Sequence, residues 1–148
     1  LKNKKNTLKV LLDTTFILPT LGIDSGIEVK KAIKKLDEIN AELYYSIFSI
    51  LESLWIAIRL IKKREFDIER FKLGLRSLIE ARRYKQIIEN TEVFNYALSL
   101  YLNGHADMID NILYANSIIY DIKFLTIDEE IKKFIKIKNL KDTILSLS

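Results

Sequence analysis

The sequence predicts an α/β domain with three layers, α/β/α, around a small, mostly parallel central sheet. Short apolar runs alternate with longer stretches of 3.6-residue periodicity, the order expected when crossover helices join parallel strands. One Pro and four Gly in 148 residues leave little room for irregular segments. Hydrophobic residues make up 49% and charged residues 30%, enough apolar surface for a core and enough charge to solvate it. The length fits one domain, 1–148.

Leu8–Leu12 is an apolar run ending in Asp13 and reads as a buried strand. Thr14–Leu18 starts a helical turn that stops near Pro19. Ser25 and Glu28 form a capping box, so a helix should run to about Ile39 with Ile33 and Leu36 inward. Ala41–Tyr45 reads as a second strand. Ser46–Lys62 reads as a long amphipathic helix on the apolar positions Ile47, Leu51, Leu54, Ile58 and Ile61. Asp67 caps a helix to about Arg83, with Phe71, Leu75, Leu78 and Ile79 apolar. Thr91 caps a helix through Tyr101, stopped by Asn103-Gly104. Asp107–Tyr120 is helical, Lys123–Thr126 a strand, and Asp128 the cap of a short helix to Phe134. Thr143–Leu145 is a last strand.

No Cys is present, which excludes disulfides, thiolate metal sites and cysteine nucleophiles. The single His, His105, cannot build a His-rich zinc site and reads as a surface or loop residue. Any metal must therefore take mainly oxygen ligands, which favours Mg²⁺, Mn²⁺ or Ca²⁺. No apolar run approaches the roughly 18–20 residues a bilayer span needs. The basic start, Leu1–Lys5, has no small-residue cleavage site after it. The expectation is a cytoplasmic protein without a membrane anchor. Neither a phosphate-binding P-loop nor a dinucleotide fingerprint occurs.

The net charge of +4 is unevenly placed. Arg59–Lys85 carries ten Lys/Arg against four acids, or +6, leaving −2 elsewhere. Such a stretch is a candidate polyanion-facing surface, with Arg82 and Arg83 as nucleic-acid contacts, and equally a solvated helix face. Trp55, Tyr44 and Tyr45 are expected in the core.

In a parallel sheet the ligand site lies beyond the carboxyl ends of the strands. Asp13 and Asp128 both follow predicted strands, so the fold argument puts them on one edge. Each acid also has a plain structural explanation. Asp13 and Asp128 can cap the following turns, and Glu52 lies on a mostly polar helix stripe. Asp107 and Asp110 sit in a first turn that the helix dipole favours for acids, on one face at i, i+3 spacing. Gathered on one edge, these carboxylates would repel each other, and divalent cations relieve such repulsion while activating phosphodiester hydrolysis.

The order Leu11–Leu18, with Asp13-Thr14-Thr15, then Ser49–Glu52, then Asp110–Ala115, then Phe124–Asp128 resembles the PIN-domain family, of the VapC-like ribonuclease kind. The resemblance runs from about residue 8 to 145. It implies a Mg²⁺- or Mn²⁺-dependent endoribonuclease whose catalytic and metal-holding acids fall on Asp13, Glu52, Asp110 and Asp128. Asp107 is implied as an accessory acid, and Thr15 and Thr126 as hydroxyls that orient the carboxylates. It also implies RNA as substrate, a homodimer, and a small antitoxin protein as partner of a toxin–antitoxin pair. Asn111 and Asn116 are more polar than that family's usual helix residues.

Two other function classes compete. A haloacid-dehalogenase-type phosphohydrolase also opens on a strand ending in Asp, but it needs an acid two residues later, where Thr15 stands. A non-catalytic PIN-like module binding RNA or protein would be marked by loss of an acid position, and none is lost.

Overall fold

The structure is a computed structural model that describes residues 7–147; the basic start Leu1–Lys5 lies outside them. Four strands form one all-parallel sheet: β1 (Lys9–Leu12), β2 (Glu42–Ser46), β3 (Tyr84–Ile87) and β4 (Lys123–Leu125), in the order β3-β2-β1-β4. Register is set by Val10 opposite Leu43 and Leu11 opposite Phe124. The α-helices are α1 (Thr14–Ile17), α2 (Ile27–Glu38), α3 (Ile47–Lys62), α4 (Ile68–Glu80), α5 (Thr91–Leu102), α6 (Met108–Ile119) and α7 (Glu129–Ile137), with a 3₁₀ turn at Leu18–Leu21.

Strand alternation builds the two core layers. Val10, Leu12, Leu43, Tyr45 and Leu125 point to one face and pack with Phe16, Val29, Leu36 and Leu78 from α1, α2 and α4. Leu11, Ile87 and Phe124 point to the other and pack with Leu113, Tyr114, Ile131 and Ile135 from α6 and α7. A parallel sheet covered on both faces needs apolar strands throughout. Val10, Leu11 and Leu12 are accordingly fully buried.

Several expected elements differ. Helix α4 ends at Glu80 rather than Arg83, and residues 84–87, unread in the sequence, form the edge strand β3. Arg82 takes a left-handed φ of 61°, and this turn switches the chain from helix to strand. Nothing in Glu80-Ala81-Arg82-Arg83 signals it, because all four residues are good helix formers. The capping box does not form: Gly26 is the N-cap of α2, Asp24 Oδ1 accepts from its N–H at 3.0 Å, and Ser25 Oγ is buried without a partner. Asn90, not Thr91, caps α5 by accepting from Val93 N–H at 3.0 Å. Thr143–Leu145 makes only a single parallel bridge, Ile144 to Phe124, rather than a strand.

Helix α3 buries a face other than its apolar stripe. Its buried residues are Ser49, Ile50, Ser53 and Ala57. Ile47, Leu51, Leu54, Ile58 and Ile61 lie largely in solvent. Small side chains let α3 pack closely beside α1 and α6, and the bulkier residues are left outside.

Candidate active site

The strand order reverses at β1: the chain runs outward from it through β2 and β3, then returns to place β4 on its other side. A crevice therefore opens at the carboxyl ends of β1 and β4, where the neighbouring crossovers part. Asp13 directly follows β1, and Thr126 and Asp128 follow β4. The expected strand-end convergence is thus a property of the topology.

Asp13 is only 6% exposed. It caps α1, taking Thr15 N–H on Oδ1 at 2.7 Å, and Thr126 Oγ1 donates to its Oδ2 at 2.5 Å. The same Thr126 hydroxyl accepts Asp128 N–H at 3.0 Å. Asp128 is half-buried and caps α7, accepting from Glu130 N–H at 2.8 Å. Asp110, 8% exposed, stands in the first turn of α6, whose cap Asp107 accepts Asp110 N–H at 3.1 Å. Both hydroxyl residues singled out in the sequence, Thr15 and Thr126, thus bear on Asp13. Glu52 lies half-buried on α3.

These carboxylates act on one another. Burial pushes Asp13 up to about 6, against the hydrogen bonds from Thr126 and Thr15, and the charge of Glu52 adds to the rise. Asp110 is raised well above the carboxylate range, first by burial, then by a hydrogen bond with Asp128 and by the charges of Asp107, Asp128 and Asp13. Asp128 is lowered, first by that bond, with backbone N–H groups and His105 contributing. The two carboxyls titrate as a pair, the environment favouring the proton on Asp110 and the charged form on Asp128.

The donor set fits a hard divalent cation: it is all oxygen, carries multiple negative charges, and its pKa pattern shows repulsion that a cation would relieve. Among the described residues, no group of three or more acidic, histidine or cysteine side chains is already arranged to hold one ion. Asp128 and Asp13 both lie close enough for their charges to act on Asp110.

His105 lies in the loop between α5 and α6, as one of the two expected placements had it, but it is buried there rather than on the surface. Its Nδ1 pairs with Asn111 Oδ1 at 2.7 Å, Asn111 Nδ2 donates back to His105 O at 2.8 Å, and the ring packs on Phe134. Asn111 cannot offer Oδ1 and Nδ2 otherwise, so Nδ1 carries the proton. The polar Asn111 is explained as the partner of this loop. Trp55 is 47% exposed rather than in the core, whereas Tyr45 is buried and Tyr44 half-buried. Arg82 is exposed; Arg83 is engaged, with Nη2 at 2.6 Å from Asp37 Oδ2 and its guanidinium over the Tyr84 ring.

One acid on this edge went unread. Glu89 follows β3 and accepts from Ser46 Oγ at 2.6 Å and Asn116 Nδ2 at 2.8 Å, tying the end of β2 to α6. Its signal was its place after a strand, and that strand was missed. Thr14 Oγ1, Ser49 Oγ and Asn116 Oδ1 are buried without hydrogen-bond partners.

A family model described as the PIN domain matches residues 10–137. No curated protein matches the sequence. A toxin–antitoxin complex from Klebsiella pneumoniae resembles the structure with TM-score 0.55 at 19% identity, covering 93% of this chain and 99% of that one. VapBC2 from Rickettsia felis, bound to a DNA fragment from its promoter, resembles it with TM-score 0.65 at 14% identity, covering 94% and 98%. At these identities the likeness is one of fold.

Proposed function

We propose that this chain, which belongs to the PIN-domain family, is a Mg²⁺- or Mn²⁺-dependent endoribonuclease and the toxin of a toxin–antitoxin pair. The observation that carries the reading is the placement of Asp13 and Asp128 at the ends of β1 and β4, joined through the Thr126 hydroxyl, with the buried Asp110 and the half-buried Glu52 acting on them electrostatically. Perturbed acids converging in a cleft are what metal-assisted phosphoryl chemistry requires.

Asp13, Asp110 and Asp128 would hold the cation, with Glu52 beside them. When bound, it supplies Lewis acidity toward a phosphodiester oxygen and raises the acidity of a water. The chain's own groups prepare for it. Thr126 fixes the Asp13 carboxylate and the Asp128 backbone in one arrangement. Thr15 N–H holds the other Asp13 oxygen. Asp107 holds the first turn of α6 so that Asp110 faces Asp128. Because burial and neighbouring charge raise Asp110, a cation held there would compete with a proton, so binding should release protons.

The exposed apolar stripe of α3 is suited to a protein partner, which we assign to a second copy of the chain, with a small antitoxin as further partner. Both similar structures are toxin–antitoxin assemblies, which supports the antitoxin. Arg82 and Arg83 are assigned to the RNA backbone. The test is cleavage of a single-stranded RNA panel in Mg²⁺ or Mn²⁺ beside the same panel in EDTA. Metal-dependent cleavage is expected; cleavage that persists in EDTA contradicts the reading.

A further inference from the structure

On α3, the positions Glu52, Trp55, Arg59 and Lys62 or Lys63 succeed one another at i, i+3 and i+4 steps, forming one edge of the helix. This edge separates the buried face, Ser49, Ser53 and Ala57, from the exposed apolar stripe. At its inner end, Glu52 acts electrostatically on Asp13. Trp55 stands three residues out, about 4.5 Å along the axis, and is 47% exposed. Beyond it come Arg59, Lys62, Lys63 and Arg64, and among the described residues none of these four makes an ion pair.

From the crevice outward the helix therefore offers acid, aromatic face and free cations. A single-stranded nucleic acid has the complementary sequence of groups: a phosphate at the acids, a base beside it, and further phosphates beyond. An exposed indole costs solvation unless something covers it, and base–aromatic stacking recovers about 1–3 kcal/mol per base in other single-strand binders. A second copy of the chain would find the cations on this edge unfavourable, because like charges would face each other.

We propose that Trp55 is the stacking platform for a base next to the scissile phosphate, with Arg59 and Lys62 holding the following backbone phosphates. The proposal rests on the ribonuclease reading. It makes α3 the track along which single-stranded RNA enters the crevice. Stacking tolerates any base, so Trp55 supplies positioning and a demand for single strands rather than sequence selectivity.

Trp55 is the only tryptophan in the chain, so intrinsic fluorescence reports on it alone. The experiment titrates the wild-type protein in EDTA with a labelled single-stranded 12-nucleotide RNA. Tryptophan emission, its acrylamide quenching and the label's anisotropy are read together. Quenched emission and protection from acrylamide are expected as anisotropy rises, but not with an abasic oligomer of the same length. Trp55→Ala should raise Kd by about 5- to 100-fold, and Trp55→Phe should restore most of the loss, with circular dichroism confirming that both variants fold. Anisotropy that rises while emission stays unchanged overturns the stacking role and leaves the nuclease reading standing. No anisotropy change at all removes the RNA reading and this proposal together. An indole already shielded from acrylamide in the free protein overturns the proposal in favour of a second copy covering that edge.

Discussion

Thr126 Oγ1 donates to Asp13 Oδ2 at 2.5 Å across 113 positions of sequence, and the same oxygen accepts the Asp128 N–H at 3.0 Å. One hydroxyl thus joins the two strand-end acids on either side of the fold's switch point. Thr126→Val keeps the shape and removes both bonds, leaving a buried carboxyl short of a donor. We expect a loss of about 1–3 kcal/mol at neutral pH, with Thr126→Ser losing less. Urea denaturation midpoints of the two variants measure it. Equal midpoints for Thr126→Val and wild type would show that the bond does not hold the site.

The pH dependence of the metal-free protein follows from the raised acids. Asp13 titrates at about 6 in the fold against an ordinary 3.8. A raised folded pKa means the folded state binds a proton that the unfolded chain releases. The stability this provides is complete below 3.8 and is lost as pH rises through about 6, amounting to at most about 3 kcal/mol. Asp110, also raised, acts in the same direction. Asp128, lowered, acts oppositely, losing its contribution as pH falls below the ordinary carboxylate range. In EDTA, Tm should be higher at pH 5 than at pH 7.5, and Mn²⁺ should recover the difference at pH 7.5. A Tm indifferent to pH and to Mn²⁺ would contradict the crowding.

The basic surface should divide by function. Arg82 is free in solvent, whereas Arg83 is held by Asp37 and Tyr84. Arg82→Gln should weaken RNA binding and reduce the salt slope by about 0.7, with no change in Tm. Arg83→Gln should also weaken binding, and its exposed ion pair with Asp37 should cost up to about 1 kcal/mol of stability. Filter binding across a salt series, beside a melting curve, separates them. Unchanged affinity in both variants would remove this patch from the RNA surface.

The stripe Ile47, Leu51, Leu54, Ile58 and Ile61 should mediate self-association. Leu54→Glu places a charge in its middle without touching the buried face of α3. Light scattering should show a dimer for the wild type and a monomer for the variant, both folded. A wild-type monomer at micromolar concentration would leave the stripe to a different partner.

The core strands and the strand-end placement of Asp13 and Asp128 were legible because their signals are local and strong. Val10-Leu11-Leu12 before Asp13, and Phe124-Leu125 before Thr126, mark buried strands meeting a polar edge. Strand β3 was not legible: Tyr84-Lys85-Gln86-Ile87 is an edge strand with two exposed polar residues, and a helix-forming stretch runs straight into it. Glu89 was lost with it. On α3 periodicity marked the apolar stripe but could not say whether core or partner covers it. Ser49, Ser53 and Ala57 look weakly apolar, yet close packing against the rest of the fold selects them. Trp55 is exposed where the core was expected, and the loop residue His105 is buried, for the same reason: exposure is decided by tertiary packing, not by residue type.

The central claim, a carboxylate–metal nuclease site at the β1/β4 crevice, is tested most directly by Asp13→Asn. Asn is nearly isosteric; its Oδ1 can still accept from Thr15 N–H while its Nδ2 donates to the Thr126 hydroxyl from which Asp13 accepted, so the fold should survive, and metal-free stability at neutral pH should rise as like charge is removed. What goes is the charge that holds the cation. The measurement is cleavage of single-stranded RNA by wild type and variant in Mg²⁺, Mn²⁺ or EDTA, with a melting curve for each. The account predicts EDTA-sensitive cleavage by the wild type and none by a fully folded Asp13→Asn protein that still binds RNA. A folded Asp13→Asn protein that cleaves at the wild-type rate would contradict it.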